Sequence, residues 1–356
     1  MPNLSAFKPD FPEAARRWRA FHAGEIVDRP LLIRTIPKPD RRPPPPLTHR
    51  GRFNAAPEAI VDRHMEQVES TLYLGEAIPA FSLTFGCDEL AMFCGAPDLS
   101  FHPDSENTCW GTPCVDDWEQ ALPIRFNERH PLWLKMLATF RLARERFAGR
   151  VAMGMLDTHS NMDMLAALRG SRALCEDCLD TPELVDAAME SARKVFPVFW
   201  SAIREAGGHD EVGYCHCWLY APDGACMLQC DFSCMISPAM FDRWVAPALA
   251  EEAALVRHAI YHWDGVGALV HEKSVLGIPG LATLGFVPGA GAAPQSAFVD
   301  RYIEWQKAGR AVHVGGTVEE CRAMHKVFKP DLSIYTPFVE TEDEFNRVAE
   351  WFVRNT

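Results

Sequence analysis

The stretch AVHVGGTVEECRAMHKVFKPDLSIY, Ala311 to Tyr335, decides how the chain is read. A short apolar run (Ala311–Val314) leads to Thr317 and Glu320 at capping-box spacing. A helical pattern follows over Val318–Phe328, and a second apolar run (Leu332–Tyr335) closes the unit. Strand, helix and strand in that order make the βαβ unit of a parallel sheet. The alternation continues outward. Strand-like runs occupy Pro30–Ile36, Ala80–Phe85, Val151–Leu156, Gly213–Leu219, Ala259–Trp263 and Leu281–Val287. Helical patterns occupy Pro182–Ala206, Pro238–His258, Ala297–Ala308 and Glu342–Arg354. Eight such strands alternating with helices predict an α/β fold, a (β/α)8 TIM barrel, with residues 1–356 as one elaborated domain. The segment 86–150 carries Trp110, Trp118, Trp133 and a helix of its own, Pro131–Phe147. It reads as an insertion between the second and third strands that covers one rim.

Charge narrows the partners. The chain has 35 Lys and Arg against 48 Asp and Glu, a net charge of −13. That balance argues against nucleic acid, whose phosphates need a clustered cationic surface, and against polybasic membrane attachment. The longest uncharged run, Ser274–Val299, is broken by Pro279, Pro288 and Pro294, so no membrane span is expected. The start, MPNLSAFKPDFPEAARRW, lacks the apolar core of a signal peptide, which predicts a cytoplasmic protein acting on a small molecule. The twelve cysteines then read as free thiols or metal ligands. Cys175 with Cys178, and Cys321 with His325, sit on helices away from the barrel mouth, where packing is the simpler role.

Side chains alternate across a strand, so parity separates the barrel interior from the helix layer. In GYCHCWL the small residues Cys215 and Cys217 suit the helix layer, which sends Tyr214, His216 and Trp218 inward. In AIYHWDG, Trp263 points outward and His262 and Asp264 inward; in AVHVGG, His313 points inward; in LSIYTP, Ser333 and Tyr335 do. Neutral imidazoles converging with a carboxylate suit a Zn2+ site, with His262, Asp264, His216 and His313 as candidate ligands. The same groups also suit hydrogen bonding and proton transfer on a substrate. Asp231, a carboxylate between apolar neighbours in LQCDFSCMISP, requires a partner or a role. No dinucleotide fingerprint, Walker A sequence or nucleophile elbow is present, and Asp157-Thr158-His159 lacks the glycine of a cobalamin-ligating D-x-H-x-x-G.

The block CDFSCMISPAMFDRWVAPALAEEA resembles the uroporphyrinogen decarboxylase superfamily, which includes methylcobamide:thiol methyltransferases. GEIVDRPLLI, RVAMGMLDTHSNMDMLAALRG, YHWDG and GFVPGAGAAP follow the same order over nearly the whole chain. The resemblance implies a (β/α)8 barrel with its site at the C-terminal ends of the strands. The arginine-rich segment with which porphyrinogen decarboxylases grip carboxylates is replaced by LLIRTIPKPDRR, with Arg34 and Lys38. Methyltransferases of the family bind zinc through His-x-Cys and a later cysteine. Here His262-Trp263-Asp264 occupies the first pattern, and Tyr335 lies near the position of the last ligand. The resemblance therefore implies a methyltransferase-like enzyme that uses zinc and a corrinoid carried on a separate protein. Asp231, His262, Asp264, His216 and His313 are the expected catalytic groups, and Arg34, Trp218 and Tyr335 the expected substrate contacts. The alternatives are a metal-free decarboxylase, in which Asp231 stabilises a protonated intermediate, and a binding barrel without catalysis.

Overall fold

The computed structural model describes residues 3–356. Thirteen strands are formed among them: β1 Leu31–Pro37, β2 Thr71–Gly75, β3 Ala80–Phe81, β4 Leu99–His102, β5 Ser105–Gly111, β6 Ala152–Met153, β7 Tyr214–His216, β8 Leu219–Ala221, β9 Ala225–Gln229, β10 His258–Asp264, β11 Leu281–Val287, β12 Ala311–Gly316 and β13 Ser333–Pro337. Two parallel arrays result. One runs β9-β10-β11-β12-β13-β1 and ends on antiparallel β2; the other runs β3-β6-β7 and ends on antiparallel β8. Helices lie between successive strands from β9 to β13, and the Thr317–Glu320 capping box forms at the head of the helix Val318–His325. Among the described residues, no helix is long and apolar enough to cross a membrane.

The parallel α/β architecture follows the alternation in the sequence. A ring closed by continuous ladders is not seen among the described residues, because antiparallel strands occupy the edges that closure requires. β2 takes the free edge of β1, and β8 takes that of β7. The expected strand Gly213–Leu219 ends early: Cys217 adopts φ +55°, and the chain folds back as β8. The next strand, β9, pairs in parallel with β10 and has no counterpart in the sequence reading. Two expected helices are also interrupted. Pro182–Ala206 divides into Pro182–Ala192 and Val195–Gly207, with Pro197 in the opening turn of the second helix. Pro238–His258 contains a π-helical turn over Phe241–Val245, just before Pro247, which has no N–H to continue the α ladder.

Side chains complete the backbone pairing where ladders stop. Between β7 and β9, the Met227 N–H donates to His216 Nδ1 at 3.0 Å, Thr158 Oγ1 donates to the Met227 carbonyl, and Asn161 Nδ2 donates to the Gln229 carbonyl at 3.1 Å. Next to β1, buried Glu76 performs the same task. Its backbone N–H donates to the Leu32 carbonyl at 2.8 Å, and its Oε2 accepts the Leu32 N–H at 2.8 Å. Arg29 holds both carboxylate oxygens at 2.7 and 3.0 Å, and Trp18 Nε1 donates to the Glu76 carbonyl at 2.9 Å. One residue thus fastens the N-terminal helix Phe11–His22, β1 and the entry to β3.

Outside the strands, Ser160 donates to Glu252 Oε1 at 2.7 Å and ties the helix Asn161–Arg169 to Ala246–Val256. Glu252 Oε2 is buried without a partner, and burial pushes the carboxyl up to about 8 against the opposing hydrogen bond from Ser160.

Two expectations concern stability. Glu76→Ala leaves Arg29 buried and unpaired and is expected to cost roughly 3–5 kcal/mol in urea unfolding; a loss below about 1 kcal/mol would remove Glu76 from its central position. Glu252 keeps its proton in the folded chain up to about 8, whereas an unfolded glutamate releases it near about 4.3. Its contribution is therefore complete at acid pH and declines as pH rises through that interval. Glu252→Gln should flatten this slope, so that melting temperatures of variant and parent diverge progressively towards pH 8. Parallel curves would show that the carboxyl ionises normally.

Candidate active site

The strand β10 presents two faces. Trp263 stacks on Trp305 of the helix layer, with ring centroids 5.1 Å apart, so His262 and Asp264 project from the other face. Asp231 opens the short turn Asp231–Met235 after β9. Its N–H donates to Asp163 Oδ2 at 3.0 Å, and that of Phe232 donates to Asp163 Oδ1 at 2.8 Å. With its backbone fixed in this way, Asp231 meets His262 and Asp264, and one potential ligand atom from each lies within 4.8 Å of the others.

The opposite wall comes from Asp157–Asp163. Asn161 holds φ +44°, a left-handed conformation that asparagine tolerates, and its Oδ1 accepts the Met162 N–H at 2.7 Å. This bend turns His159 towards Asp231. His159 Nδ1 lies 2.9 Å from Asp88 Oδ1, and its Nε2 lies 3.6 Å from Asp231 Oδ2. Burial alone would keep the ring neutral, but Asp231, Asp88 and Cys87 outweigh it and hold the imidazole well above its ordinary range. Asp231 responds in the opposite direction: despite burial, His159 and then His262 keep its carboxyl below the usual value. Asp264 is raised, first by burial and then by the charge of Asp231.

Two trios of potential metal ligands thus meet at the His159–Asp231 contact: Cys87, Asp88 and His159, and Asp231, His262 and Asp264. They differ in what remains free. In the first, Cys87 Sγ donates to the Cys109 carbonyl at 3.1 Å, Asp88 Oδ2 accepts the Gly111 N–H at 2.8 Å, and Asp88 Oδ1 meets His159. In the second, Asp231 Oδ1 is buried without any partner. An orphaned carboxylate oxygen beside an imidazole and a second, mutually repelling carboxylate fits a divalent cation.

The remaining expected residues are dispersed. His216 fills the gap between β7 and β9, where its Nδ1 accepts from Met227 and burial lowers it to about 4. His313 stacks on Trp218, centroids 3.8 Å apart, and its Nε2 lies 2.9 Å from Thr336 Oγ1. Neither belongs to the His262 trio. Trp218, His313 and His262 line a common cavity of about 480 Å3. Arg34 does not line that cavity: its Nε donates to the Val339 carbonyl at 3.0 Å, and its guanidinium lies 5.9 Å from the ring of Phe338, which does. Tyr335 lies on the other side of its strand, fully buried and 5.1 Å from Phe352 of the C-terminal helix. The polarity of LSIYTP misleads here: Ser333 is also in the outer layer, bonded by Gln306 Nε2 at 2.9 Å.

Asp88, His159 and Asp163 were not singled out as site residues by sequence alone. The available signal was their position after the second and third strands, in FGCDEL and DTHSNMD, where barrel sites gather. With Asp231 they line a second cavity of about 470 Å3, together with Trp110 of the β4–β5 hairpin. A larger cavity of about 900 Å3 lies among outer helices beside Arg141, Arg144, Glu205 and Glu211, and its lining holds no histidine, cysteine or aspartate.

No family model matches the sequence, and no curated protein does either. The structure is similar to that of a methyltransferase from Methanosarcina mazei, with 14% identity and a TM-score of 0.60 over 96% of this chain and 98% of that one. The likeness is one of fold, spans nearly the full length of both chains, and at that level bears out the resemblance read in the sequence.

Proposed function

We propose that the chain is a methyltransferase-type enzyme acting on a small substrate, with Asp231, His262 and Asp264 holding a divalent cation. The observation that carries the reading is the meeting of Asp231, His262 and Asp264 within ligating reach of one another, together with an Asp231 carboxylate oxygen, Oδ1, that is buried without a partner. Zinc suits this donor set. Its borderline character accepts imidazole and carboxylate together, and when bound it supplies Lewis acidity that lowers the pKa of a coordinated acceptor. The protein's own groups do the positioning. Asp163 fixes the backbone of Asp231, and the His159 imidazole faces its side chain, with Nε2 3.6 Å from Oδ2. Methyl exchange with a corrinoid on a separate protein completes the proposal; the fold likeness to a methyltransferase supports it.

Metal analysis of protein purified without chelators tests this assignment. One equivalent of divalent metal is expected in the parent and in Cys87→Ser, and none in His262→Ala. His216→Ala should keep the metal while losing about 1–3 kcal/mol of stability, because the Met227 N–H is left buried and unpaired. With a thiol added as nucleophilic acceptor, methylcobalamin, as a stand-in for the protein-bound corrinoid, should pass its methyl group to the sulfur and leave cob(I)alamin only with metal-loaded enzyme. A metal-free parent that remains fully active would sink the assignment, and CO2 release by such a protein would favour the decarboxylase instead.

A further inference from the structure

The two cavities that meet at the trio differ in chemistry. The one beside Asp231 is lined by Asp88, His159 and Asp163. The one beside His262 is walled by Trp218, His313, Phe286, Phe338, Met227 and Ile260. Apart from the Trp218 indole N–H and His262, the polar side chains of this second wall are already engaged. Gln295 bridges β11 and β12, donating to the Phe286 carbonyl at 2.6 Å and accepting from the Gly315 N–H at 2.8 Å. Glu320 accepts from Thr317 and from Ser296 Oγ as part of the helix cap. His313 is bonded to Thr336, and burial depresses it to about 3, so its ring is neutral. The rim is apolar as well: Phe338 is 59% exposed and Val287 40%.

We infer that this chamber is the binding site for an uncharged aromatic small molecule, which stacks against the Trp218–His313 pair and directs its reacting substituent at His262. The inference deepens the reading above by naming the substrate class for the same site. Charged ligands are disfavoured because the one charged lining residue, Glu320, is taken up by the helix cap, and the nearest guanidinium, Arg34, sits outside the lining beside Phe338. A buried charge would be desolvated without a counter-charge in contact. Among neutral ligands, a planar ring gains offset or edge contacts with Trp218, Phe286 and Phe338, and Met227 adds a thioether suited to an aromatic edge. A cavity of about 480 Å3 accommodates a substituted single ring.

Ligand-observed NMR titration of the full chain, without metal or methyl donor, tests binding separately from catalysis. Phenol, benzoate and cyclohexanol serve as probes of similar size that differ in charge and aromaticity. Phenol should bind at least tenfold more tightly than either of the others. Phe338→Ala, at an exposed position that leaves the core intact, and Trp218→Leu should each weaken phenol at least tenfold with near-UV circular dichroism otherwise preserved. Equal affinity for the three probes, or phenol binding unchanged in both variants, overturns the inference. Loss of the metal assignment alone leaves this binding result standing.

Discussion

The constraint on which the architecture rests is the completion of backbone pairing by side chains where the parallel ladders end. A strand edge buried without partners for its N–H and carbonyl groups is costly, and each such group must be satisfied. β2 and β8 cover two of these edges, and Glu76, His216, Thr158 and Asn161 provide for positions those strands leave open. The bonds next to β9 have a second effect. Thr158 and Asn161 bracket His159, so satisfying Met227 and Gln229 also holds the imidazole at the site.

The electrostatics follow from that placement. Asp88, Asp163, Asp231 and Asp264 crowd two imidazoles in a partly buried space, and burial of like charges favours protonation. The chain resolves the conflict unevenly. His159, between Asp88 and Asp231, is pushed towards its charged form, and Asp163, itself raised to about 6, accepts two backbone N–H groups. Asp264 remains raised by burial and by Asp231, which is the imbalance a cation at this point would relieve.

Much of this was legible locally. Strands β10, β11, β12 and β13 each contain or overlap an apolar run identified from the sequence, because the bulky residues that pack on helices repeat with the period of the pleat. His262 and Asp264 were identifiable for the same reason, with Trp263 between them marking the buried face. Parity failed for Tyr335, where a buried serine with its own hydrogen bonds stands in the helix-facing row. It also could not anticipate β8, because the reversal depends on one positive φ at Cys217, a residue with no special preference for it.

The sequence by itself determined the parallel α/β order, the helix start at Thr317 and the placement of polar groups at strand ends, since these depend on periodicity and short-range hydrogen bonding. Only the tertiary structure decided which of those groups meet. Asp88 and His159 lie 71 positions apart, and Asp163 reaches Phe232 across 69. Such contacts are set by how the strand ends converge, not by any local pattern. The same convergence gave His216 to the backbone of β9 and left Asp231, His262 and Asp264 facing one another.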